Sequence, residues 1–207
     1  LVYGLASSKG WTLVSAVLLS GIAVSSLLMA LNSFIISLSE SVFVLREMIF
    51  WIMGGLEGRG WSHLTLACFP ALLGCILIMA FTRDLNIMAL ESEEGAMSLG
   101  VDTRRVTQIL LALSALVTAS VVSVSGGIAF VGLVVPHLLR LFLGPNHKIL
   151  IPASFIGGAT FLILTDLVSR VAFPSEELRL GIVTSMVGAP FFLILLQRNL
   201  RKSYGLS

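Results

Sequence analysis

The sequence predicts an all-α integral membrane protein, a polytopic helical bundle. Three observations carry that expectation. Mean hydropathy is +1.01. Charged residues make up only 12% of the 207-residue chain, where a soluble domain carries about 25%. The apolar residues also gather into six runs near the length a bilayer demands, about 20 residues in helical form. The same composition argues against a nucleic-acid binder, because the net charge of +2 comes from scattered residues and forms no basic stripe.

Taken in order, residues 1–8 read as the tail of an earlier span. A chain that starts at Leu1, with neither an initiator Met nor a signal-peptide pattern, reads as an N-terminally truncated piece of a longer polypeptide. The first complete span is expected over 11–38. Within the connection 39–62, "VFVLREMIFWIMGG" is apolar but interrupted by Arg46 and Glu47, and it closes on a glycine pair suited to a helix C-cap. It reads as a short interfacial helix with Trp51 at headgroup depth. Further spans are expected over 63–81, 106–124, 128–143, 149–173 and 180–196. The run 128–143 is short and carries Pro136, which predicts a kink or support from neighbouring helices. Cys68 and Cys75 stand two turns apart on one helix, roughly 10 Å by helix rise, too far for a disulfide; they read as packing residues. Small residues recur four apart at Ala153/Gly157, Ser154/Gly158 and Thr184/Gly188, a spacing that lets helices approach closely in lipid. Packing inside one subunit and a dimer seam are both open to them, the first being the simpler.

Six spans place both ends on one side. Nine of the 13 Lys and Arg residues then fall on that side and four on the other, so both ends and the connection 82–105 are expected in the cytoplasm. No soluble domain or low-complexity stretch interrupts the chain.

Catalysis finds little footing. His63, His137 and His147 lie at or near span ends and far apart in sequence. No close ligand spacing joins them, so no metal, cofactor or catalytic residue is expected. A phosphate-cradling loop is also excluded. The only lysines are Lys9, Lys148 and Lys202, and "GLASSKGWT" lacks the required spacing. Nucleotide hydrolysis, if the protein uses it, must reside on another polypeptide. Asp166 and Arg170 sit four residues apart on the fifth span. They read either as a self-neutralising pair on one helix face or as a docking charge at the outer surface.

The one compact charged island is "ALESEEGAMSLGVDTRR". Across 82–105, Ile87, Leu90, Met97, Leu99 and Val101 alternate with charges, and Gly95 and Gly100 punctuate the run. The pattern predicts one or two short helices across the cytoplasmic face. These are either a solvated loop or a rigid knob that a cytosolic partner grips, guided by Glu91, Glu93 and Glu94.

"LNIMALESEEGAMSLGV" resembles the coupling loop of permease subunits of ABC importers for iron–siderophores, haem, vitamin B12 and related metal chelates. "GGIAFVGLVVPHLLRLFLGPNHKILIPASFIGGATFLILTDLVSR" and "ELRLGIVTSMVGAPFFLILL" are similar to later stretches of the same family, and "LLSGIAVSSL" and "FWIMGGLEG" to earlier ones. The resemblance covers essentially the whole chain and is unspecific for substrate. It implies the last six spans of a ten-span type II ABC importer permease in the cytoplasmic membrane. It further implies a homodimer or a pair of similar permease subunits, two cytoplasmic ATP-binding subunits and an extracytoplasmic substrate-binding protein. By the same resemblance Glu93, Glu94, Gly95, Ala96, Leu99 and Gly100 couple to the ATPase, Arg170 docks the binding protein, and Val14 and Ser15 line the pathway. Gly95 and Met97 depart from the alanine and arginine common in the family. An ion-coupled secondary transporter is the rival reading. It calls for ionisable residues at mid-membrane, whereas charge here lies almost entirely at span ends.

Overall fold

The computed structural model describes the backbone of residues 13–172 and 178–203, with side chains from 18 to 172 and from 178 to 197. Every regular element among the described residues is an α-helix. In chain order they are α1 (Leu13–Ser37), α2 (Val42–Met53), α3 (Trp61–Ala80), α4 (Thr82–Leu90), α5 (Glu93–Ser98), α6 (Thr103–Ser125), α7 (Val131–Leu143), α8 (His147–Ala172) and α9 (Leu180–Ser203). Five are long and apolar enough to cross a membrane, through Leu18–Ser37, Trp61–Ala80, Thr103–Ser125, His147–Ala172 and Leu180–Gln197.

The segment expected to span over 128–143 is different. Its helix, α7, has 13 residues, about 20 Å at 1.5 Å per residue, some 10 Å short of a typical hydrocarbon core. The cause lies at its start. Gly126 turns with φ +68° and Phe130 takes φ +66°, the one non-glycine residue with positive φ among those described. The stretch 126–130 is therefore extended or turning. Such a backbone is tolerated at membrane depth only where protein shelters it.

Contacts divide the chain into two units, Leu1–Ile49 and Phe50–Ser207. The first holds α1 and most of α2, and large side chains of α1 such as Leu18, Ile22, Leu28 and Phe34 are exposed within the chain. In the second, the two most extensive pairings are α3 with α6 and α7 with α8; α9 packs on both α7 and α8. Missing side chains set these approaches. A Cβ at Gly74 of α3 would collide with Val117 of α6, and one at Gly157 of α8 would lie 3.0 Å from Leu139 and 3.2 Å from Val135 of α7. A Cβ at Gly188 of α9 would strike Phe130, so the absence of a side chain at Gly188 makes room for the left-handed Phe130. Gly157 and Gly188, two of the recurring small residues, thus serve packing within the chain. Val134, Val135, Leu150, Thr165, Ser169, Leu180 and Thr184 form the buried interior of this group.

Three separate segments meet backbone to backbone at one end of the second unit. The Gly55 N–H donates to the Ser125 carbonyl at 2.8 Å, and the Gly181 N–H to the Gly54 carbonyl at 3.3 Å. Side chains at Gly126 or Gly181 would run into the carbonyls of Trp51 and Met53. Arg179 closes the junction, with Nη1 2.9 Å from Glu57 Oε2 and its guanidinium 4.0 Å above the Phe50 ring.

Candidate functional site

Residues 82–105 fold into two short helices and two joints. α4 continues α3 after a break at Phe81 (ψ 10°). At its other end Glu91 and Ser92 extend the chain, and the Ser92 hydroxyl accepts from the Gly95 N–H as the N-cap of α5. Glu93 and Glu94 then fall in the first turn of α5, where the helix dipole favours negative charge.

The C-terminus of α5 is closed as firmly. Gly100 adopts φ +85°, its N–H bonds the Met97 carbonyl at 2.9 Å, and the Val101 N–H bonds the Ala96 carbonyl at 3.1 Å. This is the paired bonding of a Schellman cap, with the apolar contact between Val101 and Ala96 that accompanies it. Ala96 is 0% exposed; with Val101 and Val106 it forms a small core beneath the loop, against Phe81, Ile87, Met88 and Leu110. Asp102 next caps α6 by accepting from the Arg105 N–H at 3.1 Å.

A helix of six residues is too short to persist alone. Here two caps and a buried alanine hold it. Its outward surface is mixed: Glu93 and Glu94 are exposed, as are Met97 at 51% and Leu99 at 57%. Glu93, while exposed, accepts a long hydrogen bond from the Thr103 hydroxyl at 3.4 Å. The six residues singled out from sequence therefore divide. Glu93, Glu94 and Leu99 face outward, Gly95 and Gly100 shape the backbone, and Ala96 is foundation whose side chain no partner reaches.

The other candidates lie elsewhere. Arg170, near the C-terminal end of α8, holds Asp166 with two hydrogen bonds, Nε at 2.8 Å and Nη2 at 3.3 Å. Its side chain remains 55% exposed, so the pair orients the guanidinium without hiding it. Val14 and Ser15 fall in the first turn of α1, and their side chains lie outside the described residues. No group of three or more His, Cys, Asp or Glu side chains able to hold a metal occurs among the described residues.

Sequence reasoning missed a cluster behind the loop. The Asn86 amide on α4 donates through Nδ2 to Asn146 Oδ1 at 3.0 Å. Asn86 Oδ1 accepts from the His147 backbone N–H at 2.9 Å and lies 2.8 Å from His147 Nδ1. A carbonyl oxygen only accepts, so Nδ1 carries the proton. Asn146 in turn caps α8, its Oδ1 accepting from the Lys148 N–H at 3.0 Å. The local signal for half of this was present: "GPNHK" places an asparagine just before an apolar helical run. Nothing local marks Asn86, which lies 60 residues away.

The fold defines a class, that of polytopic helical membrane proteins, here with a capped knob between two long apolar helices. Within that class the chain belongs to the FecCD transport family, which it matches over residues 1–198. It is 41% identical over 196 residues to the cobalamin import system permease protein BtuC of Halobacterium salinarum, covering 95% of this chain and 52% of that one. It is 38% identical over 192 residues to the hemin transport system permease protein HmuU of Yersinia pestis, covering 93% and 57%. A solved structure described as an inward-facing conformation of a metal-chelate type ABC transporter superposes with a TM-score of 0.80 at 33% identity, covering 88% of this chain and 59% of that one. The chain thus spans about half the length of the curated relatives it matches.

Proposed function

We propose that this chain is the membrane-spanning part of an ABC importer that carries a metal chelate, of the cobalamin, haem or iron–siderophore kind, across the cytoplasmic membrane. ATP is hydrolysed on separate cytoplasmic subunits, and the permease itself performs no covalent chemistry. Two permease subunits, identical or similar, frame the pathway, with Val14 and Ser15 beside it, and a substrate-binding protein delivers cargo from the outer side. The asymmetry of Lys and Arg supports cytoplasmic placement of both ends and of residues 82–105.

One observation carries the reading. α5 is capped at both ends over a buried alanine, yet it presents Glu93, Glu94, Met97 and Leu99 to the surroundings. Rigid backing beneath an exposed, mixed polar and apolar face suits a surface that is pushed by a partner. Closure of the ATPases then moves the spans as rigid bodies between two states. The names of the relatives, importers of cobalamin and hemin, support the cargo class.

Reversing the knob's charge tests the assignment. In Glu93→Lys/Glu94→Lys, recovery of the ATPase with the detergent-solubilised permease falls at least tenfold while membrane insertion is unchanged, because like charges across a contact cost several kcal/mol. Normal co-purification and normal uptake in the double variant refute it.

A further inference from the structure

The loop 82–105 is joined to the membrane in two covalent ways, and both pass through joints. On one side Phe81 interrupts the path from α3 to α4; on the other Gly100, Val101 and Asp102 separate α5 from α6. α5 also leans on α6 through the small core of Ala96, Val101 and Val106, so a push on it reaches that span by packing as well as by backbone. A further non-covalent connection runs from α4 to α8. From α4, the single side chain of Asn86 makes three hydrogen bonds, to Asn146 Oδ1, the His147 N–H and His147 Nδ1–H.

These bonds differ in direction and in sense, one donated and two accepted. No slide or rotation of α4 against α8 leaves them all intact. They also act where α8 needs outside support. Pro152 lies within α8 and has no N–H to return to the Lys148 carbonyl, so the caps Asn146 and Asn86 supplement a first turn closed by the Leu150 N–H to the Asn146 carbonyl at 2.9 Å. Leu150, 4% exposed, anchors that turn from the other side. From end to end α8 runs for 26 residues, about 39 Å, and its last turns carry Asp166 and Arg170.

We propose that Asn86 is the positioning residue that fastens the 82–105 surface to α8. A displacement of the loop is then delivered along α8 to the Arg170 end as a rigid-body movement. This rests on the coupling role given to the loop above. Asn86 touches neither cargo nor ATP; it acts through His147 and Asn146.

The test uses the complete transporter, permease with its ATPase subunits in lipid vesicles, with Cys68 and Cys75 replaced by serine. A single environment-sensitive fluorophore is placed on a cysteine substituted at Ala89, in the loop, or at Val171, at the far end of α8; both positions are exposed. The probe for movement is ATP with vanadate. In the otherwise unsubstituted transporter both labels respond. In Asn86→Leu the ATPase still co-purifies within twofold and the Ala89 label still responds, but the Val171 response falls at least fivefold. Asn86→Asp, which keeps an oxygen acceptor for both His147 donors, retains at least half of the Val171 response; a merely structural loss does not separate these two variants. A full Val171 response in Asn86→Leu, or an equal loss in Asn86→Asp, overturns the clamp and leaves the coupling role standing. Absence of any Ala89 response in the unsubstituted transporter overturns the coupling role, and the clamp with it.

Discussion

At Gly100 the backbone turns with φ +85° and no other atom lies within 4 Å of where a Cβ would stand. The cost of a side chain there is therefore one of backbone conformation, about 1–2 kcal/mol for an L-residue held left-handed. Gly95 is the contrary case. It lies within the helix, and a Cβ would approach Glu91 Oε2 at 3.1 Å, Glu91 Cβ at 3.3 Å and the capping Ser92 Oγ at 3.4 Å; the exposed carboxylate is able to swing away, and the other two contacts ask for a shift of a few tenths of an ångström. Gly95→Ala is expected to change stability by less than about 0.5 kcal/mol, since a small gain in helix propensity offsets a mild contact. Gly100→Ala is expected to loosen α5 and cut ATPase recovery at equal expression. Thermal melts in detergent and co-purification of the two variants check the contrast. The departure at Gly95 from the family's usual alanine is thus a small matter for the knob's shape. Met97 is the larger one, because it leaves an exposed apolar side chain where the resemblance leads one to expect a basic one.

Helices were the most legible layer, because apolar length is a local property of the chain. The expected run 63–81 is a helix over Trp61–Ala80, 106–124 one over Thr103–Ser125, and 149–173 one over His147–Ala172, each starting two or three residues earlier than expected. α8 starts at His147 because Asn146 caps it, its Oδ1 accepting from the Lys148 N–H. What stayed hidden were relations between distant residues: Asn86 with His147, Glu57 with Arg179, and Gly188 making room for Phe130. No window of sequence contains both partners. Between α3 and α6, close approach depends on Gly74 seating Val117. In lipid such packing, more than water exclusion, holds helices together. Gly74→Ala is expected to destabilise the pair by about 1–3 kcal/mol, and a second change, Val117→Ala, to restore most of it. Detergent-resistance assays on the single and double variants decide; failure of rescue places the damage elsewhere.

Across the whole molecule, the loop 82–105 and the Asp166/Arg170 pair are tied to the two ends of one helix, α8. At such exposure the pairing of Arg170 with Asp166 is screened by water and too weak to keep the guanidinium from an incoming carboxylate. Arg170→Glu is expected to weaken capture of the binding protein at least tenfold at low ionic strength, with the gap narrowing as salt screens it. Asp166→Asn, which leaves Arg170 charged, is expected to retain capture. An unchanged dissociation constant for Arg170→Glu leaves the pair as a self-neutralising one on a single helix face. The backbone junction of residues 54–55, 125–127 and 181 has a further consequence, for biogenesis. Its third member belongs to α9, the latest in chain order of the three segments, so until α9 is inserted the Gly54 carbonyl lacks its donor and the gap beside Met53 stays unfilled. The segments at 54–55 and 125–127 thus wait, incompletely sealed, for α9, and a nascent chain halted before Gly181 carries an open seam.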